Sequence, residues 1–198
     1  MRADTVSSAG DSGPLWRVIH GVLRLDQPTL DGTSAASMVR LALPGDLLGL
    51  EALFAEPYRL NVVALTAARV EPVDPAVCTD REAWLREGLE QLQRRSFEMT
   101  ALRTGPVPDR LQRLLRLLGH PDLAGCSVEH AEAVRSTLPR LRELAEVVDA
   151  KPETVCRALG RLLPQRQGRR GPVPSQERWT GFPAARKWWP TMVTAQAT

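Results

Sequence analysis

Apolar and polar positions between residues 15 and 74 alternate in short runs, which predicts β-strands separated by turns. The runs are LWRVIHGVLRL with a central Gly21, SMVRLAL ahead of Pro44-Gly45-Asp46, and LNVVALTAARVEPV. Period-two alternation with β-branched residues is typical of half-buried strands. The polar segment DQPTLDGTSAAS between the first two runs is predicted to be a loop. We therefore expect a small antiparallel β unit, either a barrel or a roll.

The period changes at Thr79-Asp80, where a capping residue is followed by Glu82 near the positive end of a predicted helix. Apolar and small residues then recur at spacings of four, three, four and three, as in a coiled-coil seam: Leu85, Leu89, Leu92, Ser96 and Met99. So short a seam could instead lie on the β unit. Because the positions around it are mostly charged, we favour a helix that dimerises through this single stripe.

A second set of helices is predicted after GPVP at positions 105 to 108. One leucine face predicts a short helix that ends at Gly119: Leu111, Leu114, Leu115 and Leu118. After a stretch that we interpret as irregular, LPRLRELAEVVDAKPETVCRALGRL has two apolar helical faces joined by Asp149-Ala150. Periodicity is lost from Pro164 onward, where Trp179, Trp188 and Trp189 either dock onto the body or form an exposed interaction segment.

The composition narrows the class of protein. A chain of 198 residues with 43% hydrophobic residues can bury the core of one large or two small domains. No apolar run is long enough to span a bilayer, and the first residues lack the apolar stretch of a secretory signal. We expect a cytoplasmic protein with no membrane partner. The cysteines, Cys78, Cys126 and Cys156, lack CxxC or Cys/His spacing, so neither a disulfide framework nor a metal site is expected.

Charge is distributed unevenly along the chain. Residues 140–170 carry eight Arg or Lys against four acids, and residues 171–198 carry three against one. Since the whole chain has a net charge of +3, the first 139 residues are left at −3. A basic C-terminal third on an acidic body suggests that only this third meets a polyanion.

The two last predicted helices have the features of a helix-turn-helix. Ala145 is small enough for a close helix crossing, Asp149 takes the left-handed turn position, and Val155 would hold the second helix on the first. Glu153, Arg157 and Arg161 then share the outer face. An arginine can donate two hydrogen bonds to guanine, and a glutamate can accept one from the paired cytosine. A Glu153–Arg157 ion pair on a solvated face is the alternative.

Residues 15–163 resemble the family of the cyclic-AMP receptor protein and the fumarate-nitrate regulator. LPGDLLGLEALF, the long helix, DRLQRLLRLLG and the two last helices follow the family's order, and ETVCR resembles its ETVGR and ETISR motifs. The resemblance implies an α+β protein with a cyclic-nucleotide-binding-like jelly roll and a C-terminal winged helix-turn-helix. It also implies a homodimer on a palindromic operator. The corresponding segments are residues 1–78 for a shortened β-roll, 79–104 for the dimerisation helix, 106–170 for the DNA-binding domain and 171–198 for an extension.

The same resemblance implies roles for single residues. Glu153 and Arg157 match the two residues that read a G·C pair, and Pro152 stands where the cyclic-AMP branch has a base-reading arginine. We therefore expect altered readout at the outer base of each half-site. Cys156 replaces a serine or glycine, either as a small filler or as a redox switch.

The resemblance gives little support for a ligand. The cyclic-nucleotide branch holds phosphate with an Arg-Ser pair and ribose with a Gly-Glu pair, whereas this chain has Tyr58-Arg59 and Gly45-Asp46. An effector pocket would comprise Gly45, Asp46, Arg59 and Ser96. We expect no cofactor: cyclic-nucleotide binding is disfavoured, and no cysteine precedes Cys78 for an iron-sulfur cluster.

The sequence thus predicts a sequence-specific transcription regulator of double-stranded DNA and no enzyme, because no catalytic constellation is visible. Glu153, Arg157 and Arg161 would contact bases. Phosphates would be contacted by Lys151, Thr154, Arg166, Arg169 and Arg170. The alternative is a protein-interaction module that contacts RNA polymerase or another regulator through a degenerate DNA-binding domain, since QRQGRRGPVPSQERW is a poor hairpin for the expected wing.

Overall fold

Two antiparallel sheets form the first half of the chain in the computed structural model, which describes residues 5–29, 37–73, 81–121, 123 and 125–164. One sheet has the strand order β1-β6-β3-β4 and the other β5-β2-β7. The strands are β1 Thr5–Ser7, β2 Trp16–His20, β3 Leu23–Gln27, β4 Ser37–Ala42, β5 Leu47–Leu48, β6 Asn61–Ala64 and β7 Arg69–Pro72. The expected antiparallel β unit is confirmed.

The apolar run around Gly21 proves to be two strands, β2 and β3, that belong to different sheets. Gly21 adopts a left-handed φ of 83°, and a Cβ there would lie 2.2 Å from the carbonyl oxygen of Ala67. Only glycine fits so tight a corner. The run from Leu60 to Val73 divides in the same way into β6 and β7. The two sheets therefore enclose one core, whose buried residues are Val18, Leu23, Leu25, Ala42, Leu48 and Val62.

The long helix, α1, runs from Arg81 to Arg103 and packs on the sheets with a polar face. Gln91 and Arg95 are only 3% and 6% exposed, whereas most of the predicted apolar stripe faces solvent. Gly88 lies on the same inner face, where a Cβ would come within 2.8 Å of the Leu50 side chain. The helix thus approaches the β unit closely and presents hydrogen-bonding groups to it.

Buried hydrogen bonds explain this orientation. The Arg95 guanidinium donates to both carboxylate oxygens of Asp46, at 2.6 and 2.9 Å, and the backbone N–H of Leu43 donates to the same carboxylate. The Gln91 amide accepts from the N–H of Leu47 and donates to its carbonyl, at 2.7 and 2.9 Å. The inner face of α1 therefore completes the backbone hydrogen bonding of β5.

Four shorter helices follow α1: α2 Val107–Leu117, α3 Val128–Thr137, α4 Leu141–Val147 and α5 Pro152–Leu162. Gly119 ends α2 with a φ of 93°, and the N–H of His120 donates to the carbonyl of Leu115, so the predicted cap is confirmed. The interpretation of the stretch after Gly119 as irregular was wrong, because this stretch contains α3. Its signal was the N-cap Ser127, whose hydroxyl accepts from the N–H of His130.

The fold class is confirmed as α+β, with antiparallel sheets followed by helices; the expected wing lies outside the described residues. No helix in the described part of the chain is both long enough and apolar enough to cross a bilayer. A short 3-10 helix, Leu50–Phe54, lies between β5 and β6 in the chain and contacts α1.

The buried ion pair gives a stability prediction. Replacing Arg95 by Met leaves the Asp46 carboxylate buried without its main cation, which should lower the free energy of unfolding by roughly 3 kcal/mol. The matched control is Arg86→Met on the same helix, because Arg86 pairs with Glu82 in solvent and should cost below about 0.5 kcal/mol. Urea unfolding followed by circular dichroism at one protein concentration measures both; equal losses would contradict the role given to Asp46.

Candidate nucleic-acid interface

Helices α4 and α5 contact each other and share a core that contains the small residue singled out in the sequence. Ala145 on α4 and Val155 on α5 are both buried, at 3% and 0% exposure. Ala158 and Leu159 extend the buried face of α5 into the same core. The apolar periodicity of KPETVCRALGRL therefore fixes which side of α5 faces inward, and by exclusion which side faces solvent.

The turn between α4 and α5 is closed by a left-handed residue. Asp149 has a φ of 48°, the N–H of Ala150 donates to the carbonyl of Ala145 at 2.9 Å, and the N–H of Asp149 lies 3.4 Å from the carbonyl of Glu146. This pair of bonds is a Schellman motif, which satisfies the free carbonyls at the end of α4. The predicted turn position is confirmed, with Asp in place of the more usual glycine.

The recognition candidate, α5, begins immediately after this turn. Lys151 is its extended N-cap and Pro152 its first residue, a position where the missing N–H of proline costs nothing. Glu153 lies in the first turn, where the helix dipole favours an anion. The Schellman motif and the bonds from the N–H groups of Thr154 and Val155 to the carbonyl of Lys151 together define where α5 begins.

The three predicted base-reading residues, Glu153, Arg157 and Arg161, are exposed on α5. The Nε of Arg157 lies 3.4 Å from the backbone carbonyl of Glu153, so this arginine lies along the helix toward its N-terminus. Lys151 is exposed at the same end, whereas Thr154 is half-buried. Arg166, Arg169 and Arg170 lie outside the described residues. Contact of any of these side chains with DNA stays a prediction.

A groove of about 600 Å³ lies beside the turn. It is lined by Arg142 and Lys151, but also by Glu146 and Asp149, so its charges balance. On the exposed face of α5, Arg157 and Arg161 outnumber Glu153, and the rest of the positive excess in residues 140–170 belongs to Arg166, Arg169 and Arg170. The thiol of Cys156, on the flank of this helix, is half-buried and free.

Most of the stripe predicted to dimerise is exposed on α1. Leu85, Leu89 and Leu92 are 36%, 57% and 40% exposed, and Ser96 faces solvent too. Met99 was wrongly included, because it is only 7% exposed and packs in the core of its own chain. An α-helix drifts by about 20° per heptad relative to a 3.5-residue repeat, which turns this last position toward the sheets.

A cavity of about 1,090 Å³ lies between the sheets and α1, and it is lined by Arg59 and Ser96, two of the four residues predicted to form an effector pocket. Gly45 and Asp46 do not line it. The assignment of Asp46 to this pocket is wrong, because its carboxylate is buried and bonded to Arg95. Arg59 is exposed and pairs with Glu56 at 2.6 Å.

The sequence did not single out Arg40, which also lines the cavity. Burial lowers the pKa of its guanidinium, and its Nη1 is buried without a hydrogen-bond partner in the described part of the chain. No motif marks this arginine, since it reads as an ordinary strand residue in SMVRLAL. Within the same described residues, no group of three or more His, Cys, Asp or Glu is placed to hold a metal ion.

Comparison with known proteins identifies relatives. No family model matches the sequence. The transcriptional regulator SdrP of Thermus thermophilus is 31% identical over 167 residues, which cover 80% of this chain and 78% of SdrP. The transcriptional regulator LdrP of the same species is 29% identical over 165 residues, covering 81% of both chains.

Solved structures of transcriptional regulators also resemble this chain. A CRP-family transcriptional regulator from Thermus thermophilus has 27% sequence identity and a TM-score of 0.56, with 81% of both chains covered. FixK2 from Bradyrhizobium japonicum, at 22% identity and a TM-score of 0.53 over 92% of this chain, shares the fold. With the SdrP match over most of both sequences, these similarities show that the chain belongs to the CRP family of DNA-binding transcriptional regulators, which are not enzymes.

Proposed function

We propose that this regulator binds a palindromic operator as a homodimer and that Glu153 and Arg157 read one G·C pair in each half-site. The observation that carries the proposal is the exposed acid and base on the N-terminal half of α5. The N-terminal residues of a recognition helix are the ones that reach base edges in the major groove. The fixed turn before α5 gives these side chains a defined starting position.

The chemistry of the pair suits one base pair. Arg157 can donate two parallel hydrogen bonds to O6 and N7 of guanine, and Glu153 can accept from the amino group of the paired cytosine. Arg161 lies one turn further along the same exposed face. Pro152 has no polar side-chain group, so it adds no base contact, whereas Lys151 beside it carries a cation suited to a phosphate.

The homodimer is supported by the exposed apolar stripe on α1. Leu85, Leu89 and Leu92 lie on one side of the helix, and the adjacent side, which carries Gln91, is already bonded to β5. Packing this stripe against a second copy removes it from water and relates two α5 helices by a two-fold axis. Such a dimer would read half-sites centred about one helical turn of DNA apart.

We also propose that DNA binding needs no cyclic nucleotide. The residues expected to hold the phosphate and the ribose already have other partners, because Arg59 pairs with Glu56 and Asp46 pairs with Arg95. Operator affinity measured with and without cyclic AMP should therefore be equal. A substantial increase in affinity on addition of the nucleotide would contradict this part of the proposal.

Selection on random duplexes tests the base-reading role. The wild type should enrich a palindrome, and Arg157→Ala should lose about 1–3 kcal/mol of discrimination at one G·C position while retaining salt-sensitive nonspecific binding. Arg69→Ala is the control, because Arg69 is an exposed arginine on β7 and its replacement removes the same charge. Equal losses on all sequences would exclude base reading, and failure to enrich any palindrome would favour the protein-interaction alternative.

Sedimentation equilibrium tests the dimer. Leu89→Lys places two like charges in the proposed seam and should shift the protein toward monomer, with weaker binding to the selected palindrome. Phe97→Lys is the control, because Phe97 is 77% exposed but lies about 100° around α1 from the stripe. A Leu89→Lys protein as dimeric as wild type, or a Phe97→Lys protein that dissociates equally, would show that another surface mediates assembly.

A further inference from the structure

Arg110, on α2, donates to carbonyl groups of two different elements. Its Nη1 lies 2.7 Å from the carbonyl oxygen of Val148 and 3.1 Å from that of Asp149, both in the α4–α5 turn. The same nitrogen lies 3.2 Å from the carbonyl oxygen of Arg103, the last residue of α1. One guanidinium therefore joins the end of the long helix to the turn that precedes α5.

The carbonyls that Arg110 contacts are ones that a cation should stabilise. Arg103 ends α1 and Val148 is the C-cap of α4, so both carbonyls lie at helix C-termini with partial negative charge. Hydrogen bonds from a charged donor are stronger than those between neutral groups. The Nε of Arg110 is buried without a hydrogen-bond partner among the described residues, a cost that the Nη1 contacts must offset.

Neighbouring arginines make weaker or less complete connections. Arg113, one turn along α2, donates to the carbonyl of Ala101 on α1 at 2.8 Å. Arg24 on β3 pairs with Glu146 on α4, but that carboxylate is exposed, and such pairs contribute little in water. Arg110 contacts both the end of α1 and the turn before α5.

We infer that Arg110 is a positioning residue that fixes the recognition helix relative to the dimerisation helix. In the proposed homodimer, which this inference requires, two copies of the contact set the separation and angle of the two α5 helices. Arg110 touches no base in this role. It should determine which spacing between half-sites the dimer accepts, and leave the base preference within each half-site unchanged.

The experiment uses the full chain and duplexes that carry two inverted copies of the selected half-site, separated by a series of spacers. Affinity is measured for wild type, Arg110→Met, Arg110→Lys and the control Arg113→Met. In this control, Arg110 still contacts the α4–α5 turn. Base preference is measured separately by substituting each position of one half-site. Thermal unfolding is recorded for every variant, and Arg110→Lys carries the test if Arg110→Met does not fold.

Wild type and Arg113→Met should bind one spacer best. Arg110→Met should bind that duplex about tenfold more weakly, the effect of losing roughly 1.4 kcal/mol, with affinity for the other spacers and base preference unchanged. Arg110→Lys should fall between, since an ammonium group can retain part of the contact. An unchanged spacer profile in folded Arg110 variants, or an equal loss at all spacers, would overturn the inference. A wild type without any preferred spacer would overturn the proposed palindromic dimer itself.

Discussion

The buried ion pair between Asp46 and Arg95 determines how the long helix lies on the β unit. Both carboxylate oxygens meet the guanidinium, and Gln91, one turn earlier, bonds both backbone groups of Leu47. Only one rotation of α1 about its axis satisfies all of these groups at once. Because unpaired polar groups in the interior are costly, that rotation is strongly preferred, and it turns the stripe at Leu89 toward solvent.

The orientation of α1 constrains that of α5, because the connections between the helices are short and their backbone groups are hydrogen-bonded. After Arg103 the chain turns at Gly105 and enters α2, whose buried leucines pack in the same core as α4 and α5. The ends of α2 and α4 are both closed by Schellman bonds, so few backbone groups are free to rearrange. A geometry established at β5 can therefore determine the direction of a helix more than one hundred residues later in the chain.

The sequence predicted the features that depend on local interactions. Gly119 and Asp149 were identified because a helix end needs a left-handed residue, and the inward side of α5 followed from its periodicity. The division of the first strand run was missed, because it depends on how closely Gly21 approaches Ala67, forty-six residues away. The partner of Asp46 was missed for the same reason. Met99 was misplaced because an ideal seven-residue repeat was assumed for a straight helix. The same distinction between local and long-range interactions applies to the candidate site. The exposed face of α5 could be predicted from residue spacing. The acceptors of Arg110 could not, because they are backbone carbonyl groups that carry no sequence signature.

The polar inner face of α1 also bears on why the stripe stays available to a partner. A buried ion pair contributes little net stability compared with well-packed apolar side chains of the same size. If Asp46 and Arg95 were both apolar, α1 would have apolar residues on two sides, and either side could pack on the β unit. Burying the stripe in the roll would then compete with presenting it to a second copy. We interpret the ion pair as the feature that prevents the stripe from packing on the roll. If Arg95 moved away from Asp46, an unpaired charge would be left buried in the roll.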